Sequence, residues 1–98
     1  MPYTLSKAAI IKEDVADALD YYDAISENLA LRFEKELNEA FDKLEQQPYY
    51  YFKINSKYRR IVLPSFPYMV VYRIVEQTVI VIAVFHQKKH PNKLKKRY

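Results

Sequence analysis

The sequence predicts an α+β domain of order β-α-α-β-β-β: an N-terminal strand, an antiparallel helical hairpin, then a three-stranded antiparallel meander with a basic C-terminal tail. Three observations predict it. Val, Ile, Tyr and Phe crowd three short runs between Tyr58 and His86, separated by turn residues, as in consecutive strands. From Lys12 to Gln46 the apolar period becomes helical, with charged residues on the opposite side. A chain of 98 residues, 50% of them hydrophobic, supports one core and has no room for a second, so residues 1–98 form one domain.

In chain order, Pro2 to Ile10 reads as a first strand with Tyr3 and Leu5 on one face, placed at an edge or as an outer pairing partner. From Lys12 to Ser26 a helix is predicted by Ile11, Val15, Ala18, Leu19, Tyr22 and Ile25. Glu13, Asp14, Asp17, Asp20 and Asp23 are expected on its solvated side, and the earliest of them suit the positive end of the helix dipole. Ser26 is the expected N-cap of a second helix that runs to about Gln46 along Leu29, Phe33, Leu37, Ala40, Phe41 and Leu44. Almost nothing joins the two helices, so they should form an antiparallel hairpin.

Pro48 ends the second helix, and Pro48 to Lys57 is a tyrosine-rich connection with a turn at Asn55-Ser56. Tyr49, Tyr50 and Tyr51 are expected to wedge the hairpin against the sheet; the alternative is base stacking on exposed rings beside Lys53. The meander follows as Tyr58 to Leu63, Tyr68 to Val75 and Thr78 to Phe85. Pro64 and Pro67 cannot donate ladder hydrogen bonds and mark the first turn, and Glu76-Gln77 is the second. Strict alternation would put Ile80, Ile82 and Val84 on one face of the last strand and Val79, Val81, Ala83 and Phe85 on the other. A strand apolar on both sets is covered on both faces and sits inside its sheet.

Composition excludes several classes of chemistry. Without cysteine there are no disulfides, thiolate catalysis or cysteine-type zinc sites. Without glycine the phosphate-cradling nucleotide loops lack the residue that lets backbone approach a phosphate. No apolar run is long enough to span a bilayer and MPYTLSKAAIIKED has no export-type apolar region, so the expected location is the cytoplasm, with no membrane partner. The net charge of +4 hides an asymmetry. Met1 to Gln47 holds eleven acidic and five basic side chains, whereas Pro48 to Tyr98 holds eleven basic and one acidic, Glu76. The sheet and tail thus form the positive end of a dipolar molecule, suited to polyanions.

The candidate binding residues are all at that end. Arg59, Arg60 and Arg73 fall on strands, and since strand neighbours face opposite ways, Arg59 and Arg60 cannot share a face. One is expected to pair with helix carboxylates or a protein partner, the other to offer its planar fork to phosphate or an acidic protein. His86 closes the last strand, and the tail after it carries Lys88, Lys89, His90, Lys93, Lys95, Lys96 and Arg97, whose binding to any polyanion should weaken with salt. A nuclease reading makes His86 or His90 an acid or base, with Arg73 as a further catalytic candidate; the alternative for a strand-end histidine is a structural or surface hydrogen-bonding role. No metal site or other cofactor is expected: His90 and His86 would share a face only on a helix, and Pro91 argues against one.

The order and spacing of these elements resemble the RelE/ParE superfamily of bacterial type II toxins, the plasmid-stabilisation type, over nearly the whole chain. The resemblance rests on Asp20-Tyr21-Tyr22, on Leu29, Ala30, Phe33, Leu44 and Pro48, on Tyr58-Arg59-Arg60 and Leu63, on Phe66-Pro67-Tyr68 and Val71-Tyr72-Arg73, and on Ala83-Val84-Phe85-His86 before a basic tail. It implies a toxin that arrests growth and is silenced by a cognate antitoxin, whose acidic segment the positive end would receive. ParE-like members act on DNA gyrase by contact; RelE-like members cut mRNA on the ribosome. The FPY segment, the basic end of the last strand and the tyrosine doublet look more ParE-like, and Met69 stands where RelE-like members commonly carry an arginine. The partners implied are the antitoxin and then gyrase or the ribosome with its mRNA, in a homodimer or a toxin–antitoxin hetero-oligomer. A member that binds antitoxin without being toxic is the third reading.

Overall fold

The computed structural model describes residues 2–87, so Lys88, Lys89, His90, Lys93, Lys95, Lys96 and Arg97 lie outside the described residues. The elements are β1 (Thr4–Lys7), α1 (Ile11–Ile25), α2 (Glu27–Gln46), β2 (Phe52–Lys53), β3 (Arg59–Val62), β4 (Tyr68–Val75) and β5 (Thr78–His86). Ser26 caps α2 as its sequence position suggests: its hydroxyl accepts from the Leu29 amide at 3.4 Å, while its own amide closes α1 on the Tyr22 carbonyl at 2.9 Å. One residue thereby ends one helix and starts the next.

The strands form one five-stranded sheet in the order β1-β5-β4-β3-β2. It is a mixed sheet of five strands, which corrects the expectation of a three-stranded antiparallel meander, while the first strand does lie at an edge. β3, β4 and β5 do pair antiparallel in sequence, but β1 joins β5 in parallel, with Leu5 opposite Val79. The tyrosine-rich connection also contributes a strand, β2, paired antiparallel with β3 through Phe52–Arg60 and Lys53–Arg59. Parallel pairing of β1 follows from the helical crossover, which returns the chain to the sheet before the meander begins. It makes β5 an interior strand, which its two apolar sets require.

A β-bulge decides which side chains of β5 meet the helices. Val71 pairs with Ala83 but Tyr72 pairs with Val81, so Ile82 is the extra residue and the alternation changes phase there. Val79, Val81 and Val84 therefore all join the helix-side core, whereas strict alternation had separated Val84 from the other two. That core also takes Tyr22, Phe33, Leu37, Leu44, Ile61, Leu63, Val70 and Tyr72. Within it Tyr22, Phe33, Phe66 and Tyr68 form a mutual cluster of aromatic rings with centroids 4.9–6.0 Å apart.

Two further expectations are corrected by burial. Asp14 is not on the solvated side of α1 but buried, its Oδ2 accepting from the Val84 amide at 3.0 Å. Tyr49 and Tyr50 do not wedge the hairpin against the sheet; they are 57% and 76% exposed, and only Tyr51 is half-buried. The residue that joins this connection to the core is Tyr72, wholly buried, whose hydroxyl donates to the Pro48 carbonyl at 2.6 Å. Burial pushes the ionisation of that hydroxyl well above the usual phenol range, against a smaller opposing pull from the Arg59 guanidinium.

Candidate interaction surface

The helices cover one face of the sheet, and the strand register assigns the other. Tyr58 and Met69 pack there around buried Val71, Ala83 and Phe85, joined by Ile54 and Ile82. This second cluster is smaller than the main core. Exposed Phe52, Val62 and Val75 extend the apolar character towards its rim. Sequence alternation hinted at it, because Met69 and Val71 share a set on β4 while Val70 and Tyr72 fill the opposite one.

Two cations stand in that apolar surface. Arg60 lies over the Phe52 ring with its guanidinium carbon 4.6 Å from the centroid, as cross-strand pairing of the two residues allows. Arg73, opposite Ile80 on β5, is half-buried, and its Nε is buried without a hydrogen-bond partner among the described residues. A guanidinium N–H held away from water without an acceptor is costly.

Arg59 takes the other role. It shares the helix-facing set with Ile61, and its Nη1 donates to the carbonyls of Tyr49 at 3.1 Å and Tyr51 at 3.0 Å. The guanidinium also stacks 5.2 Å from the Tyr49 ring centroid. Arg59 therefore fastens the connection to the sheet edge through backbone carbonyls, where the sequence pointed to helix carboxylates or a protein partner.

His86 and Arg73 lie apart on the β4–β5 pair. His86 pairs with Tyr68 and sets its ring edge-on at 5.4 Å from that tyrosine, on the helix-facing side and at the far end of the strand pair. The Tyr68 hydroxyl is itself pushed up to about 12, first by burial and then by the neighbouring Tyr22, Tyr21 and Asp17. The two catalytic candidates thus occupy opposite faces, five strand positions apart, about 17 Å along the chain. Among the described residues no group of His, Cys, Asp and Glu could hold a metal ion. No helix among them is long and apolar enough to cross a membrane.

Comparisons with known proteins agree with one another. The profile described as ParE toxin of type II toxin-antitoxin system, parDE, matches residues 3–91. Toxin ParE2 of Mycobacterium tuberculosis, found in two strains, is 26% identical over 83 residues, covering 84% of this chain and 79% of the relative. Among solved structures, a chain of the chromosomal ParDE TA system from P. aeruginosa superposes with a TM-score of 0.75 at 16% identity, covering 86% of this chain and 95% of its own. An arginine-to-alanine double variant of E. coli toxin RelE in the free state superposes with a TM-score of 0.57 at 19% identity, covering 99% and 94%. These superpositions establish a shared fold.

Proposed function

Because this chain belongs to the ParE toxin family of type II toxin–antitoxin systems, we propose that it arrests growth by contact with DNA gyrase and is neutralised by a cognate antitoxin. The observation that carries the contact reading is the helix-free face of the sheet. There half-buried Ile54, Tyr58, Met69 and Ile82 lie against buried Val71, Ala83 and Phe85, and the same face carries Arg73, whose buried Nε lacks an acceptor among the described residues. Such a surface binds a protein with an apolar anchor and an acidic group better than it performs chemistry. The antitoxin and the target would compete for it, which makes neutralisation a matter of occupancy.

An mRNA-cleaving activity needs an acid or base and a phosphate-stabilising cation about one substrate apart. The separation of His86 and Arg73 on opposite faces of the sheet favours the contact reading over this one, as does Met69 after Tyr68, where the resemblance implies that RelE-like members commonly carry an arginine.

The test is pulse labelling of DNA and protein synthesis after inducing the chain without antitoxin, with its solubility followed in parallel. DNA synthesis should fall first. Protein synthesis falling first would replace this reading with ribosome-dependent mRNA cleavage. If a soluble chain changes neither, it is a non-toxic relic or its target is absent from the host.

A further inference from the structure

Beside the turn between β2 and β3 is a cavity of about 250 Å³ lined by Tyr49, Lys53, Asn55, Ser56, Lys57, Tyr58, Arg59 and Ile74. Lys53, Lys57 and Arg59 bring three cations to it, and no carboxylate lines it. Lys53 and Arg59 are direct cross-strand partners. Like charges in that relation repel, and nothing in the lining offsets them.

The cavity is organised by its own hydrogen bonds. The Asn55 Oδ1 accepts from the amides of Lys57 and Tyr58, both at 2.9 Å, which fixes the turn that presents Lys57. Nη1 of Arg59 is held by the Tyr49 and Tyr51 carbonyls, so the orientation of the guanidinium is set while its remaining N–H groups stay available. Tyr49 supplies an aromatic wall that is 57% exposed.

We propose that this cavity binds a phosphodiester group of single-stranded nucleic acid, with the phosphate between Lys53, Lys57 and Arg59 and the adjoining base against Tyr49. The oriented fork and two mobile ammonium groups suit an oxyanion approached from several directions. The exposed ring suits a base, since aromatic stacking accepts any base and basic grooves with aromatic walls follow single strands. The cavity lies by the β2–β3 turn, and Lys53 and Arg59 share the sheet set opposite to that of Arg60 and Arg73. Its cations are therefore not those of the contact surface proposed above, which it meets at Tyr58.

The experiment is fluorescence anisotropy of a labelled short oligo-thymidylate with the full chain across a salt series. The double variant Lys53→Ala/Lys57→Ala is compared with Lys95→Ala/Lys96→Ala, which removes the same charge from the tail. Both cavity lysines are exposed, so the fold should survive. The cavity pair should weaken binding about tenfold or more and lower the slope of log affinity against log salt by about 1.4, against a smaller change for the tail pair. Tyr49→Ala should lose about fivefold while Tyr49→Phe retains binding. Equal weakening by the two lysine pairs would overturn the site in favour of net charge. Inorganic phosphate or an acidic peptide that binds as tightly as the oligonucleotide would overturn the assignment to nucleic acid.

Discussion

The Asp14 carboxylate, carried by the first helix, accepts the Val84 amide of the last strand at 3.0 Å from inside the core. Val84 is two residues past the extra residue of the β5 bulge, where regular ladder pairing is disturbed. The helix thus satisfies a backbone donor beside the irregularity, and a charge-assisted bond joins residues 70 positions apart. Asp14→Ala would leave that donor buried and unpaired, and should lower unfolding free energy by about 2 kcal/mol. Urea denaturation measures it, and an unchanged midpoint would remove the bond from the account of stability.

A second buried bond joins the tyrosine-rich connection to the core. Tyr72→Phe keeps the ring in its cavity but strands the Pro48 carbonyl that its hydroxyl serves at 2.6 Å. A loss of about 1 to 2 kcal/mol is expected. Amide exchange should quicken around Tyr50 to Lys53 before it does in the helices.

Alkaline pH should weaken the fold through Tyr68. Its hydroxyl ionises at about 12 in the folded chain against 10.0 for the free group, chiefly because burial penalises the phenolate. The folded state therefore holds the proton more tightly than the unfolded state. The stability this contributes is full below pH 10 and is lost as pH rises towards 12. Tyr68→Phe should make that alkaline limb shallower, leaving the part that buried Tyr72 contributes, as read from thermal midpoints along a pH series.

Glu76 has φ of 54°, the only non-glycine residue with positive φ among those described, at the tight turn between β4 and β5. A side chain is disfavoured there, and the sequence has no glycine to place at the turn. Glu76→Gly should stabilise the chain by about 0.5 to 1 kcal/mol, and a lower thermal midpoint would contradict the strain.

Arg60 and Arg73 should separate from Arg59 in function. Arg60→Ala and Arg73→Ala are each expected to weaken antitoxin binding about tenfold in calorimetric titration while the fold is kept. Arg59→Ala should instead lower the thermal midpoint, because its guanidinium holds the carbonyls of Tyr49 and Tyr51. The reverse pattern would move the contact surface to the helix-facing edge.

Most residues that carried the family resemblance turn out to be packing residues. Tyr22, Phe33, Leu44, Pro48, Phe66, Tyr68 and Tyr72 are all buried. This explains why the motif made the fold legible and left the target open, since side chains buried between the layers specify how those layers pack. The helix boundaries were legible for a local reason: Ser26 and Pro48 act on the backbone within a turn of themselves.

The sequence by itself determined the helical hairpin, the positions of the three meander strands, the interior place of β5 and the opposed faces of Arg59 and Arg60, because each follows from periodicity or from bonds between near neighbours. Only the tertiary structure decided that β1 pairs in parallel, that a two-residue strand forms at Phe52–Lys53, that Ile82 shifts the phase of β5, and that Asp14 is buried. It also decided that His86 and Arg73 part company across the sheet. Each of these depends on the register between segments distant in sequence. One bulged residue reverses every face beyond it, and no local pattern records which partner a strand edge or a buried carboxylate will find.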